Sequence, residues 1–313
     1  METAPFHSEV ADAPEGGVFF WRHADDGVRL RLGAWREGDR GSVLLLNGRT
    51  EYLEKYGSTV RDLQARGYAA ISLDWRGQGL SDRLLPDPEI GHVERFPDYQ
   101  KDMAELVAAA EELDMPRPWF LLGHSMGGAI GLRALHEGLD VRAAAFSAPM
   151  WGILIAPWLR PLAIALASGS RWIGQRHRYA PGTGPDSYVA TAPFDDNLLT
   201  TDRKMYEMMQ RQLAAHPELA LGGPSLGWLH EALAETRALA RLPAPETPGI
   251  VFLGANERIV DARSVIARIR GWPRGELDII PGAEHEVLME TPEVRQHVHA
   301  LMERLFSSAT ADS

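Results

Sequence analysis

The sequence predicts an α/β fold, a mostly parallel sheet flanked by helices, with one inserted, mainly helical cap. Three observations lead there. Short apolar runs suited to strands alternate with segments of helical spacing, the pattern of a parallel sheet covered on both faces. Ser42–Leu46 is a near-continuous apolar run, as a strand buried on both sides requires. Between about Met150 and Arg241 the alternation stops, and it then resumes for two further strands.

Taken in order, residues 1–17 are polar and acidic, carry Pro and Gly, and read as a flexible arm. Val18–Trp21 and the alternating Val28–Leu32 read as an antiparallel pair at a sheet edge. Ser42–Leu46 follows, then a helix over about Tyr52–Arg66 and the strand Tyr68–Leu73. Helical spacing runs from Pro97 to Leu113, and Pro116 closes it. A strand from near Trp119, a helix to about Glu137 and the strand Ala143–Ser147 complete the first part of the core, 18–149.

The insertion, 150–241, opens with the apolar run Trp151–Leu159. Pro157, Arg160 and Pro161 break that run, so it is not expected to span a membrane. A Pro/Gly-rich stretch, Pro181–Pro185, and a helical segment over Asp202–Ala215 come later. Strands Gly249–Leu253 and Glu276–Ile280, with helices Ala262–Arg270 and Pro292–Phe306, make the second part of the core, 242–306. Residues 307–313 read as a disordered tail. An insertion at this point in a parallel sheet sits at its carboxyl edge, where ligands bind. We read it as a cap whose apolar side chains line a slot, with Trp151 and Trp158 as candidate substrate-binding residues.

Composition narrows the partners. A formal net charge of −11 argues against nucleic acid, which is bound through Lys and Arg. It also gives no electrostatic help at an anionic lipid surface, so membrane contact is expected only as a transient one through the cap. The chain has no cysteine, which excludes disulfides, thiol chemistry and Cys-ligated zinc. Met1–Pro5 lacks the basic and apolar regions of a secretory signal. The expected location is cytoplasmic, at most peripheral to the inner membrane face. No metal or organic cofactor is implied.

The chemistry centres on Gly123-His124-Ser125-Met126-Gly127-Gly128. A strand meets Gly-x-Ser-x-Gly and a helical pattern follows, the order of a nucleophile elbow, which holds a serine hydroxyl at the end of a strand. A serine needs a base, and the base needs an orienting acid. In such folds both come later in the chain, acid before histidine. His285 lies in a loop directly after Glu276–Ile280, at the same sheet edge as the serine, whereas His297 and His299 fall inside the last helix. Glu257, just past the strand Gly249–Leu253, is the candidate acid. Asp261 is the alternative, although it also reads as the N-cap of the next helix. Glu284 and Glu286 read as solvent-facing neighbours of His285. The oxyanion formed in acyl transfer needs prearranged donors. Candidates are the backbone N–H groups of Met126 and of Arg49, in the loop Asn47-Gly48-Arg49-Thr50. The Arg49 side chain reads either as a solvated loop charge or as a contact for a polar or anionic part of the substrate.

With Asp74-Trp75-Arg76-Gly77-Gln78-Gly79-Leu80-Ser81 upstream, the elbow resembles that of the α/β-hydrolases of the monoacylglycerol lipase and lysophospholipase group. Gly48-Arg49-Thr50-Glu51 is most similar to the bacterial lysophospholipase branch, where Gly-Arg-x-Glu follows the same strand. The resemblance implies an α/β-hydrolase fold, a triad of Ser125, Glu257 and His285, and oxyanion donors at Arg49 and Met126. It gives Asp74 and Arg76 the task of organising the loop beside the elbow. The implied substrates are small-molecule esters of single-chain lipids. Two other readings stand beside it. A proline-iminopeptidase-like enzyme would use the same triad with Asp195-Asp196 or Asp186 holding a substrate amino group. A non-catalytic binding protein would use the pocket alone. Oligomeric state is not readable from the chain.

Overall fold

Nine strands form one sheet in the computed structural model, which describes residues 2–156, 158 and 160–311. They are β1 (Glu2–Thr3), β2 (Val18–His23), β3 (Arg29–Trp35), β4 (Ser42–Leu46), β5 (Ala69–Leu73), β6 (Trp119–His124), β7 (Ala144–Ser147), β8 (Gly249–Gly254) and β9 (Gly275–Ile280). Their spatial order is β1-β2-β3-β5-β4-β6-β7-β8-β9. The first three pair antiparallel, β3 joins β5 antiparallel, and every later pairing is parallel.

Strand residues alternate between two faces, so a parallel sheet needs two cores. Val43, Leu45, Phe120, Leu122, Ile250 and Phe252 join one core, which is closed by the helices Gly57–Gln64 and Pro292–Ala311. Leu44, Leu46, Leu121, Phe146, Val251 and Leu253 join the other, covered by Tyr99–Glu112, Met126–His136 and Ala262–Arg270. This two-sided burial is why Ser42–Leu46 carries no alternating polar residue after Ser42.

The chain goes from β4 outward to β5 and then crosses back to β6 on the other side of β4. The order therefore reverses between β4 and β6, and a crevice opens at the carboxyl ends of strands flanking such a reversal. Leu46 pairs with Gly123 there, so the loops leaving the two strands start side by side. Between β7 and β8 lie helices Arg160–Trp172, Tyr188–Thr191, Arg203–Ala215 and Leu226–Leu239. Of these, the sequence pattern singles out only the third. Asp202 and Ser225 cap the final two through their side chains, to Lys204 N–H and Trp228 N–H respectively. Pro157 and Leu159, in the opening run of this segment, lie outside the described residues.

Both chain ends depart from expectation. The arm is tied down: Glu2 and Thr3 pair with β2, Phe6 stacks on Phe19 at 3.8 Å, and the Arg31 guanidinium bonds the Pro5 carbonyl. These anchors are single residues with no period, so no pattern announces them. At the other end the helix continues to Ala311, with Ala309 buried against the core, and only residues 312–313 of the expected tail lie outside the described residues.

Candidate active site

Ser125 occupies the tight turn between β6 and the helix Met126–His136, at φ 49° and ψ −115°. Such a backbone costs on the order of 1–3 kcal/mol in a non-glycine residue and persists only where its surroundings impose it. They do so here through Ser125 N–H, which bonds Ser147 O at 3.0 Å, and Ser125 O, which accepts from Gly128 and Met150. The glycines beside it are required by space. A Cβ on Gly127 would stand 2.2 Å from Leu46 O, and one on Gly128 would stand 2.6 Å from Pro149. Met126 therefore begins a helix pressed against the end of β4, beside the loop that carries Arg49.

That loop is held by side chains. Gly48 N–H donates to Glu51 Oε2, and Thr50 N–H donates to Gln78 Oε1 at 3.3 Å. Gln78 Nε2 returns bonds to Gly48 O and Glu51 O at 2.8 and 3.0 Å. The N–H groups on either side of Arg49 are thus engaged. Among the described residues, neither Arg49 N–H nor Met126 N–H has an acceptor within the chain. Neither Glu51 nor Gln78 had an assigned task in the sequence, and the partners of Gln78 sit in another loop. We expect Gln78→Ala to lower kcat roughly tenfold to a hundredfold with little change in KM, below the full cost of losing an oxyanion donor. Steady-state kinetics on a soluble ester checks this, and a rise in KM alone would remove Gln78 from that role.

Asp74 and Arg76 lie in a buried ionic framework beside the loop. Arg31 sits between Glu54 and Asp74 at 2.7 Å each, and Asp74 accepts from Leu53 N–H and Leu80 N–H. Arg76 bridges Asp102 and Asp26.

Glu257 and His285 meet because β8 and β9 are neighbours in register, Gly254 opposite Ile280. His285 Nδ1 lies 2.7 Å from Glu257 Oε2. The other carboxylate oxygen accepts from Ile259 N–H and Val260 N–H at 2.6 and 3.0 Å. Burial opposes the charge on Glu257, but its hydrogen bond to His285 and those two N–H groups outweigh it, and its pKa falls below the ordinary value. Asp261 is the N-cap of Ala262–Arg270, accepting from Arg263 N–H and Ser264 Oγ, and does not approach His285. His297 is an exposed partner of Asp278, and His299 is packed in the core.

Glu284 and Glu286 do not face solvent. Both are buried, and Glu286 meets Lys55 Nζ at 2.7 Å. The same ammonium lies 2.6 Å from Glu51. Burial disfavours charge on Glu51, but Lys55 outweighs it and holds the carboxyl down to about 2. Glu51, His124 and Glu286 otherwise have the spacing of a metal-binding group. Lys55 already supplies the cation at the two carboxylates, so the donor set does not call for a metal. Burial drives His124 down to about 3, which keeps it neutral against Ser147.

Ser125, His285, Arg49 and Glu286 line one cavity of about 440 Å³. Its apolar wall includes Tyr52, Leu198, Met209, Leu213, Leu221 and Ile259. Trp151 and Trp158 are not part of it, which corrects their assignment as substrate-binding residues. Trp151 is a core side chain between Phe146 and Trp272, with its indole N–H on Gly128 O. Trp158 is 78% exposed. Apolar aromatic type alone does not distinguish a core, a slot and a surface.

Comparison with known proteins places the chain in a family. Residues 37–292 match the Hydrolase_4 family, described as serine aminopeptidase, S33. The chain is 34% identical over 310 residues to lysophospholipase L2 of Escherichia coli K12, covering 91% of this chain and 88% of that one. It is 26% identical over 272 residues to the monoacylglycerol lipase of Mycolicibacterium smegmatis, covering 84% and 88%. Among solved structures, a soluble variant of the Saccharomyces cerevisiae monoglyceride lipase shares the fold, with a TM-score of 0.74, 21% identity and coverage of 98% and 99%. The chain belongs to the Hydrolase_4 family, as an α/β-hydrolase of the lysophospholipase and monoacylglycerol lipase group.

Proposed function

We propose that this protein is a serine hydrolase that cleaves carboxylic esters of single-chain lipids through an acyl-enzyme. The carrying observation is the 2.7 Å contact of His285 Nδ1 with Glu257, on a histidine that shares a mainly apolar-walled cavity with a strained Ser125. In this reading Glu257 fixes the tautomer with its proton on Nδ1, leaving Nε2 to accept the Ser125 proton. The serine oxygen attacks the ester carbonyl, and the N–H groups of Arg49 and Met126 receive the oxyanion. The His285 imidazolium protonates the departing alcohol, and water then releases the fatty acid by the same steps in reverse.

An aminopeptidase reading lacks support in the side chains. Asp195 pairs with Arg203 and Asp196 with Arg258, and neither lines the cavity. Asp186 lines the cavity but is exposed, and it shares that cavity with a cationic Arg49, which would repel a substrate ammonium. A lipid substrate also suits the outer surface. Trp158, Trp172 and Ile173 are 78%, 92% and 71% exposed, which offers apolar contact to a lipid aggregate. No helix among the described residues is long and apolar enough to cross a membrane.

Hydrolysis of p-nitrophenyl esters from acetyl to palmitoyl tests the proposal. Preference for medium or long chains is expected. Activity on acetyl ester alone would remove the lipid, and no activity on any ester would remove the enzyme.

A further inference from the structure

Two cations line the cavity that holds Ser125, and they differ in one respect. Lys55 is neutralised between Glu51 and Glu286. Arg49 meets no carboxylate among the described residues. Its Nη1 donates to Gly222 O at 3.0 Å, and its Cζ lies 5.4 Å from the centre of the Trp228 ring. Space has been cleared for it, since a Cβ on Gly91 would stand 2.8 Å from Nη1. Burial pulls the guanidinium down to about 10, so it remains charged at neutral pH. A partly buried cation without a counter-ion is costly unless a ligand supplies the anion.

We infer that the Arg49 side chain anchors the phosphate of a lysophospholipid head group, which makes this cavity selective for phosphate-bearing lipid esters over neutral monoacylglycerols. The inference rests on the ester-hydrolase reading above and adds a subsite to it. A guanidinium presents paired donors that match phosphate oxygens, and one bond to Gly222 leaves donors free for that contact. Covalent reach agrees as well. The path from an arginine's backbone nitrogen to its guanidinium carbon has as many bonds as the path from a lysophospholipid's ester carbonyl carbon to its phosphorus. One residue can therefore hold the oxyanion with its N–H and the phosphate with its side chain. The other acids of the cavity do not compete: Glu51 and Glu286 belong to Lys55, and Asp186 is exposed.

The test is the ratio of kcat/KM for a lysophosphatidylcholine to that for the monoacylglycerol of the same short acyl chain, both as monomers. Arg49→Met should lower that ratio roughly 10- to 100-fold, the worth of a charge-assisted contact, and Arg49→Lys should fall between. Loss of oxyanion stabilisation would lower both rates together, so an unchanged ratio overturns the inference even if turnover collapses. A second measurement does not depend on turnover. Calorimetric titration of the Ser125→Ala protein with glycerol 3-phosphate, glycerol and inorganic phosphate should give binding of the first alone, lost on adding Arg49→Met. Binding of inorganic phosphate equal to that of the ester would overturn the head-group assignment. If the wild type hydrolyses neither lipid, the ester-hydrolase reading fails, and the titration still decides the phosphate subsite.

Discussion

Ser125→Ala is expected to lower kcat for ester hydrolysis by on the order of 10⁶-fold while the protein stays folded. Alanine keeps the backbone that the turn imposes, since Ser125 is fixed by its N–H to Ser147 O and by its carbonyl to Gly128 and Met150, none of which involves the hydroxyl. The far-UV circular dichroism spectrum should therefore match that of the wild type. A fluorophosphonate should add its mass to the wild-type protein and fail to add to Ser125→Ala. Labelling of the variant, or residual hydrolysis within a hundredfold of wild type, would place the nucleophile elsewhere.

Glu257→Gln should cost about 10⁴-fold in kcat, the scale seen when the acid of such a triad becomes an amide. The reason is a shortage of acceptors. Glu257 accepts on both oxygens, from His285 on one side and from Ile259 and Val260 on the other. An amide has one acceptor oxygen. If it faces the two N–H groups, its own NH₂ faces His285 and imposes the tautomer with the proton on Nε2, which cannot take a proton from serine. If it faces His285, the two backbone donors lose their acceptor. Asp261→Asn should change kcat only a few-fold, because asparagine caps a helix about as well as aspartate. Kinetics of the two variants side by side check the assignment, and the reverse order would transfer the role to Asp261.

The parts of this molecule legible in the sequence were those whose signal is local. Ser125, Glu257 and His285 each follow a strand directly, and parallel strands deliver such loops to one edge, so chain order was enough to bring them together. Asp261 announced itself as an N-cap in the same way. What stayed hidden depends on partners far away in the chain. Glu286 stands next to His285 in a polar stretch, yet it turns inward because Lys55 waits across the cavity. Gln78 belongs to a segment readable as a mark of the fold, but its work is done on the carbonyls of Gly48 and Glu51. Trp151 shares its apolar character with any slot-lining residue, and only its packing against Phe146 and Trp272 decides its place.

The long segment between β7 and β8 leaves the sheet at its carboxyl edge after Ser147 and rejoins it at the other edge, on the adjacent strand, where Ala144 N–H bonds Pro248 O at 2.9 Å. Its two ends are thus fixed by neighbouring strands, on opposite edges of the sheet, whatever lies between them. The entropy of closing a loop grows only slowly with its length, so residues can be gained or lost there at small thermodynamic cost. The proposed reacting groups Ser125, Glu257 and His285 all stand outside that segment, whereas Leu198, Met209 and Leu221 of the cavity wall stand within it. Heritable variation in what this chain accepts can accumulate in one stretch while the bond-breaking apparatus is inherited unchanged.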